Sequence, residues 1–225
     1  MASAIVEFDW RAANADCRDV WIAHVLRREA EAKILQNLSA FLRGEYQPQD
    51  NDERLALLGI CQFQGRNVAA ASLFADALAG DLTLAQLLES ACRSRAAQGD
   101  KQPVGRVEEL TSECRYPAAR CAALAGSGQG LDAADLSASD RTRWRKQARD
   151  WLEADLAMWS QTLGNGSHSA RILVRRLMVY WQTDLDLAGI REPGSLEKLT
   201  EEERKECVAL WEAVASVLGR AQTSK

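Results

Sequence analysis

Polar helix-start signals recur along this chain, each followed by apolar residues three and four apart, and this combination constrains the fold more than any other feature. Asp50 stands three residues before Glu53, Thr83 before Gln86 and Thr200 before Glu203. At that spacing a side-chain oxygen and an acid or amide can satisfy the free N–H groups of a first helical turn. Ser139 adds a fourth cap ahead of a long run ending at Gly164. Composition agrees, with 37 Ala and 28 Leu against 24 Ile, Val and Thr together, and only 18 Gly and Pro in 225 residues. Straight-chain and small residues favour helices, whereas sheets draw on β-branched ones. The expected class is all-α, a single domain over residues 1–225 of stacked antiparallel helix pairs.

The apolar spacing predicts helices over residues 17–42, from 50 to before Gly65, over 68–79, and from 83 until the pattern fades by Gly99. Further helices are expected as a short piece from Val107, a run after Pro117 taken as a first turn, then over 139–164, 169–182 and from Thr200 onward. Residues 1–16 read as an irregular arm and 99–106 as a flexible loop. Within residues 50–82, Leu57, Gly65, Ala70, Phe74 and Ala77 occupy the positions of a tetratricopeptide repeat. Alanines there let two helices approach while Leu57 and Phe74 fill the gap between them. A TPR-like α-solenoid is the architecture implied.

No stretch reaches the roughly 18 apolar residues of a membrane span, and the acidic start MASAIVEFDW is unlike a secretory signal, so a cytoplasmic location without membrane association is expected. Net charge is −4, which offers duplex nucleic acid no footprint. The six cysteines form no C-x-x-C and lie at no metal-ligand spacing from a histidine, so they read as reduced packing residues, with no metal or cofactor expected.

The strings AFLRGEYQPQDNDERLALLGICQ, RNVAAASLFADALAGD, RYPAARCAALAGSGQG, RWRKQARDWLEADLAMW and QTDLDLAGIREPGSLEKLTEEERKECVALWEAV resemble the C-terminal helical repeat region of large bacterial Ser/Thr protein kinases of the planctomycete type. The resemblance spans roughly residues 30–221 and is most specific from Trp144 to Trp211, around DLAGIRE. It implies a tetratricopeptide-like array outside the catalytic domain. The chain departs from the pattern in a longer passage over 92–113, in Pro117 where the family tends to have Asn, and in having no kinase domain before the array. No glycine-rich loop with a following lysine, H-R-D or D-F-G occurs, so the expectation is a protein that is not an enzyme.

Other candidate sites carry less. GSGQG at 126–130 follows a helix instead of opening one, which fits helix termination and a flexible loop better than a phosphate cradle. His24 and His168 stand apart from any relay. Trp144, Trp151 and Trp159, seven and eight residues apart, share a helical stripe and read as interhelical core with Trp181 and Trp211. Arg141, Arg145 and Arg149, with Arg171 and Arg175 on a neighbouring helix, form the basic face most suited to a protein or peptide partner. The acid-rich stretch 184–206 offers a competing account, in which these arginines are neutralised inside the array. Two functions are expected from this reading: a scaffold for protein–protein interaction, or the detached regulatory arm of a Ser/Thr kinase.

Overall fold

The computed structural model describes residues 37–79, 107–164 and 168–223. These residues form helices joined by turns and loops, with no strand among them. The helices are α1 (Asn51–Phe63), α2 (Asn67–Ala79), α3 (Val107–Gly126), α4 (Ala138–Gly164), α5 (His168–Thr183), a 3-10 helix (Leu185–Ile190), the one-turn α6 (Pro193–Leu196) and α7 (Glu201–Thr223). Residues 37–42 are also helical. The expected helix over 83–98, the arm 1–16, the loop 99–106, His24, Cys17 and Cys92 lie outside the described residues. The chain divides into two compact units, Met1–Leu57 and Leu58–Lys225.

In the first unit, the Asp50–Glu53 box forms as the spacing predicts. Glu53 N–H donates to Asp50 Oδ1 (2.8 Å), and the Glu53 carboxylate accepts from the Gln49 backbone (2.8 Å), Tyr46 O–H (2.7 Å) and Asn37 (2.8 Å). The Gln49 N–H and the Tyr46 hydroxyl hold Glu53 below the usual carboxylate range, and the same contact pushes the Tyr46 phenol up to about 12. The loop between residues 43 and 50 is thereby tied to the helix it precedes.

The second unit is built around α3, which packs most extensively along α4 and next against α2 and the 3-10 helix, while α5 and α4 both lie on α7. Composition explains this centre. Ala118, Ala119, Ala122, Ala123 and Ala125 are fully buried, so α3 presents little side-chain bulk and its neighbours come close. A Cβ at Gly126 would fall 2.9 Å from the Arg145 backbone nitrogen of α4. Tryptophans fill the volume that the alanines leave: Trp144, Trp151, Trp159 and Trp181 are buried, whereas Trp211 is half-buried.

Three boundaries differ from expectation. Pro117 lies inside the continuous α3 and does not open a helix; the lost backbone hydrogen bond is borne by a helix whose following turns bury Ala118, Ala119, Ala122 and Ala123. The cap of α4 is Ser137, not Ser139; its hydroxyl accepts from Asp140 N–H (3.1 Å) and its carbonyl from Arg141 N–H (3.0 Å). Residues 184–199 contain the 3-10 helix and α6, neither of which the apolar spacing shows.

The GSGQG loop does end α3, as expected, but it is fastened and not loose. Leu131 N–H donates to Gly65 O (2.9 Å), Asn67 Nδ2 to Gln129 O (2.8 Å), and Asp132 accepts from Val68 and Ala69 N–H (3.2 and 2.9 Å) at the start of α2. A helix start near Val68 was legible, yet its cap comes from a residue more than sixty positions away. Gly130, at φ +122°, passes so close to Gly65 that a Cβ would sit 2.6 Å from its carbonyl oxygen.

Leu57, Ala70, Phe74 and Ala77 are all buried. Phe74→Ala is expected to cost about 3–5 kcal/mol, the range for emptying a buried phenylalanine site. Urea denaturation would measure it, and an unchanged midpoint would contradict the burial of that ring.

Candidate functional site

The arginines singled out above go to different places. Arg145 is drawn inward, where its Nε and a terminal nitrogen meet both oxygens of Glu203 on α7 at 3.0 and 3.1 Å, and its second terminal nitrogen donates to Gly126 O at 2.7 Å. Arg149, buried, pairs with Glu206 and contacts Cys207 Sγ at 3.9 Å. Arg141 donates to Ala134 O (2.8 Å) and holds the loop after α3. These three therefore do not form an open basic face with Arg171 and Arg175. For Arg145 and Arg149 the neutralising account describes the geometry, since Glu203 and Glu206 belong to the acid-rich stretch 184–206.

Glu203 N–H also donates to Thr200 Oγ1 (3.2 Å), so Thr200 caps α7 while Glu203, in the turn it caps, ties that helix to α4. Burial works to raise the Glu203 pKa, but the Arg145 guanidinium outweighs it with help from the Thr200 backbone, and the carboxyl is held below its usual range. A depressed native pKa gives stability that is complete above the ordinary glutamate value of about 4.3 and lost as pH falls through the lower native value. Glu203→Gln is therefore expected to melt below the wild type at pH 7, with the difference shrinking towards pH 3. Thermal melts across that range check it, and a constant difference would contradict the linkage.

The DLAGIRE segment makes a joint between α3, α5 and α7. Asp184 is buried and closes the 3-10 helix by accepting from Asp186 N–H at 3.0 Å. It also accepts from Tyr116 O–H of α3 at 2.7 Å, and Arg120 Nε stands 3.0 Å from the same carboxylate. The other arm of Arg120 pairs with Asp186. Burial, and then the bond to Asp184, push the Tyr116 phenol well above its ordinary value, so it remains a donor. Its ring stacks on Trp181 with centroids 5.3 Å apart. Arg191 donates to the carbonyls of Trp181 (3.0 Å) and Asp184 (2.7 Å) and lies over the Trp211 ring, whose Nε1–H donates to Ile190 O (2.7 Å). A Cβ at Gly189 would come within 1.7 Å of Ser127 Oγ, so the segment can approach α3 only with glycine there.

That joint is closed: its carboxylates and guanidiniums pair with one another, Arg120 Nε facing Asp184 by charge without hydrogen-bond alignment. The thiols are similarly withdrawn: Cys61, Cys121 and Cys207 are buried and free, and burial pushes Cys61 and Cys121 up to about 11. Among the described residues, no group of three or more His, Cys, Asp and Glu is placed to hold a metal ion. His168 is the exposed first residue of α5. An open cleft of about 330 Å³ between α4 and α7 is lined largely by small residues, among them Ala157, Ser160, Ala213 and Ser216, and Arg220 donates to Ser160 Oγ across it (2.5 Å). No described helix is long and apolar enough to cross a membrane.

Among the described residues, four of the eight exposed large apolar side chains lie together on the outer face of α5; Phe63, Leu131, Leu185 and Val208 are exposed elsewhere. Val174, Met178 and Trp181 are buried, and α5 packs against α7. The opposite side exposes Ile172 (48%), Leu173, Val179 and Tyr180 (49%), with Arg175 and Arg176 exposed among them. Neither these arginines nor Arg171 have an ion pair among the described residues. Arg171 and Arg175 were legible as a basic site; Ile172 and Val179 were not, because periodicity cannot say which of two apolar stripes a helix buries. Comparison of the chain with protein-family models, with curated proteins and with solved structures finds no match.

Proposed function

We propose that this protein is a non-enzymatic, TPR-like helical-repeat scaffold that mediates protein–protein interaction in the cytoplasm. The observation that carries the reading is the exposed face of α5, where large apolar side chains lie beside arginines that have no ion pair among the described residues. Exposed apolar groups of this kind, rimmed by charge, are characteristic of surfaces that take up a partner. The burial of Leu57, Ala70, Phe74 and Ala77, together with Gly65 at φ +66° in the short connection between α1 and α2, supports the repeat register. The resemblance around DLAGIRE supports a narrower version, in which the partner is the catalytic chain of a Ser/Thr kinase.

Crosslinking the tagged protein in its native cell, followed by mass spectrometry, tests the proposal. A reproducible partner protein is the expected result, and a kinase chain would select the narrower version. Crosslinks confined to the chain itself would overturn the scaffold reading.

A further inference from the structure

Residues 156–183 contain no Asp or Glu, although the chain has 32 acids, and the three charged residues in that stretch are Arg171, Arg175 and Arg176. All three belong to α5, where none has an ion pair among the described residues. Elsewhere in this unit Arg145 meets Glu203 and Arg120 meets Asp184 and Asp186, while Arg66, Arg141 and Arg220 donate to neutral oxygens of Gln64, Ala134 and Ser160; Arg175 and Arg176 stand exposed with neither kind of partner among the described residues. The positive charge of α5 is thus left over on the side that also exposes its apolar residues.

The arrangement has a definite register. Ile172 and Val179 are seven residues apart and stand one above the other on the helix, about 10 Å apart along its axis. Arg175 lies to one side of that strip and Arg176 to the other, with Tyr180 and Leu173 beyond Arg176. A partner helix matches this spacing with apolar residues at i and i+7. An extended strand does not, since its same-face positions recur every 7 Å or so, at about 7 and 13 Å. A membrane surface is also a poor match: helices that lie in a bilayer interface keep a continuous apolar arc, and Arg176 divides this one.

We propose that the outer face of α5 docks an acidic amphipathic helix of a partner protein, with its apolar residues on Ile172 and Val179 and its carboxylates on Arg175 and Arg176. This rests on the scaffold reading and specifies the partner's chemistry. Apolar contact supplies the affinity, while the arginines steer the approach and fix register and sign.

The probe is a fluorescent helical peptide of about three turns with Leu at i, i+3, i+4 and i+7 and Glu elsewhere, titrated with the full chain by fluorescence anisotropy. Saturable binding is expected, weakened about tenfold by Arg175→Glu with Arg176→Glu and by Ile172→Ser with Val179→Ser. It should also weaken as NaCl rises from about 0.05 to about 0.5 M, because exposed charges are screened. Both double variants change exposed positions and should keep the wild-type circular dichroism spectrum. Equal binding of a scrambled peptide of the same composition, or of a Lys-for-Glu version, would overturn the proposal. Binding to phosphatidylserine vesicles with no affinity for the peptide would overturn it in favour of a membrane. If the peptide fails while crosslinking recovers a partner through other helices, the α5 site falls and the scaffold reading stands; if both fail, both fall.

Discussion

Replacing Asp184 with alanine is expected to destabilise the second unit by about 3–5 kcal/mol: about 1.5–3 for the hydrogen bond to a charged acceptor, about 1 for the helix cap, and no more than about 1 for the ion pair with Arg120, which is 36% exposed. The carboxylate serves Tyr116, Arg120 and the Asp186 backbone at once, so its loss leaves the half-buried Tyr116 hydroxyl without its acceptor, leaves Arg120 only Asp186, and uncaps the 3-10 helix. For a chain of this size each kcal/mol is worth roughly 2–4 °C, so the melting midpoint should fall by about 6–20 °C. Asp184→Asn keeps an acceptor for Tyr116 but not the charge facing Arg120, and should lie between the alanine variant and the wild type. Calorimetry would check the order. A midpoint for Asp184→Ala within 2 °C or so of the wild type would mean that the joint of α3, α5 and α7 is held by packing alone.

The second large effect is expected from reversing Arg145 and Arg149 to Glu. The Arg145 and Glu203 side chains are 11% and 8% exposed, and Arg149 is 4% exposed beside Glu206. Reversal would crowd like charges into the seam between α4 and α7 and turn a carboxylate towards the Gly126 carbonyl, at a cost of more than about 5 kcal/mol. Loss of the cooperative transition is the expected result. Adding Glu203→Arg and Glu206→Arg should restore part of the stability, because the opposite-charge pairing returns with its geometry exchanged. No recovery would mean that arginine's shape, and not its charge, matters at these positions. A double variant that folded normally would contradict the paired seam outright.

How much of this was legible beforehand follows from the range of the forces involved. Helical class, the boxes at Asp50 and Thr200, the stops at Gly126 and Gly164 and the buried tryptophan stripe of α4 depend on residues within a turn or two of one another, and spacing alone determined them. Which acid meets which arginine depends on helices 57 or more residues apart. Local charge counts left two accounts of that basic region, and only packing placed Arg145 and Arg149 inside while leaving Arg175 and Arg176 outside. The cap of α2 by Asp132 and the fastened GSGQG loop are tertiary for the same reason. So is the outward face of α5: Ile172 and Val179 carry the same apolar signal as Val174 and Met178, and the neighbouring helices decided between the two stripes, burying Val174, Met178 and, against Tyr116 of α3, Trp181 while leaving Ile172 and Val179 exposed.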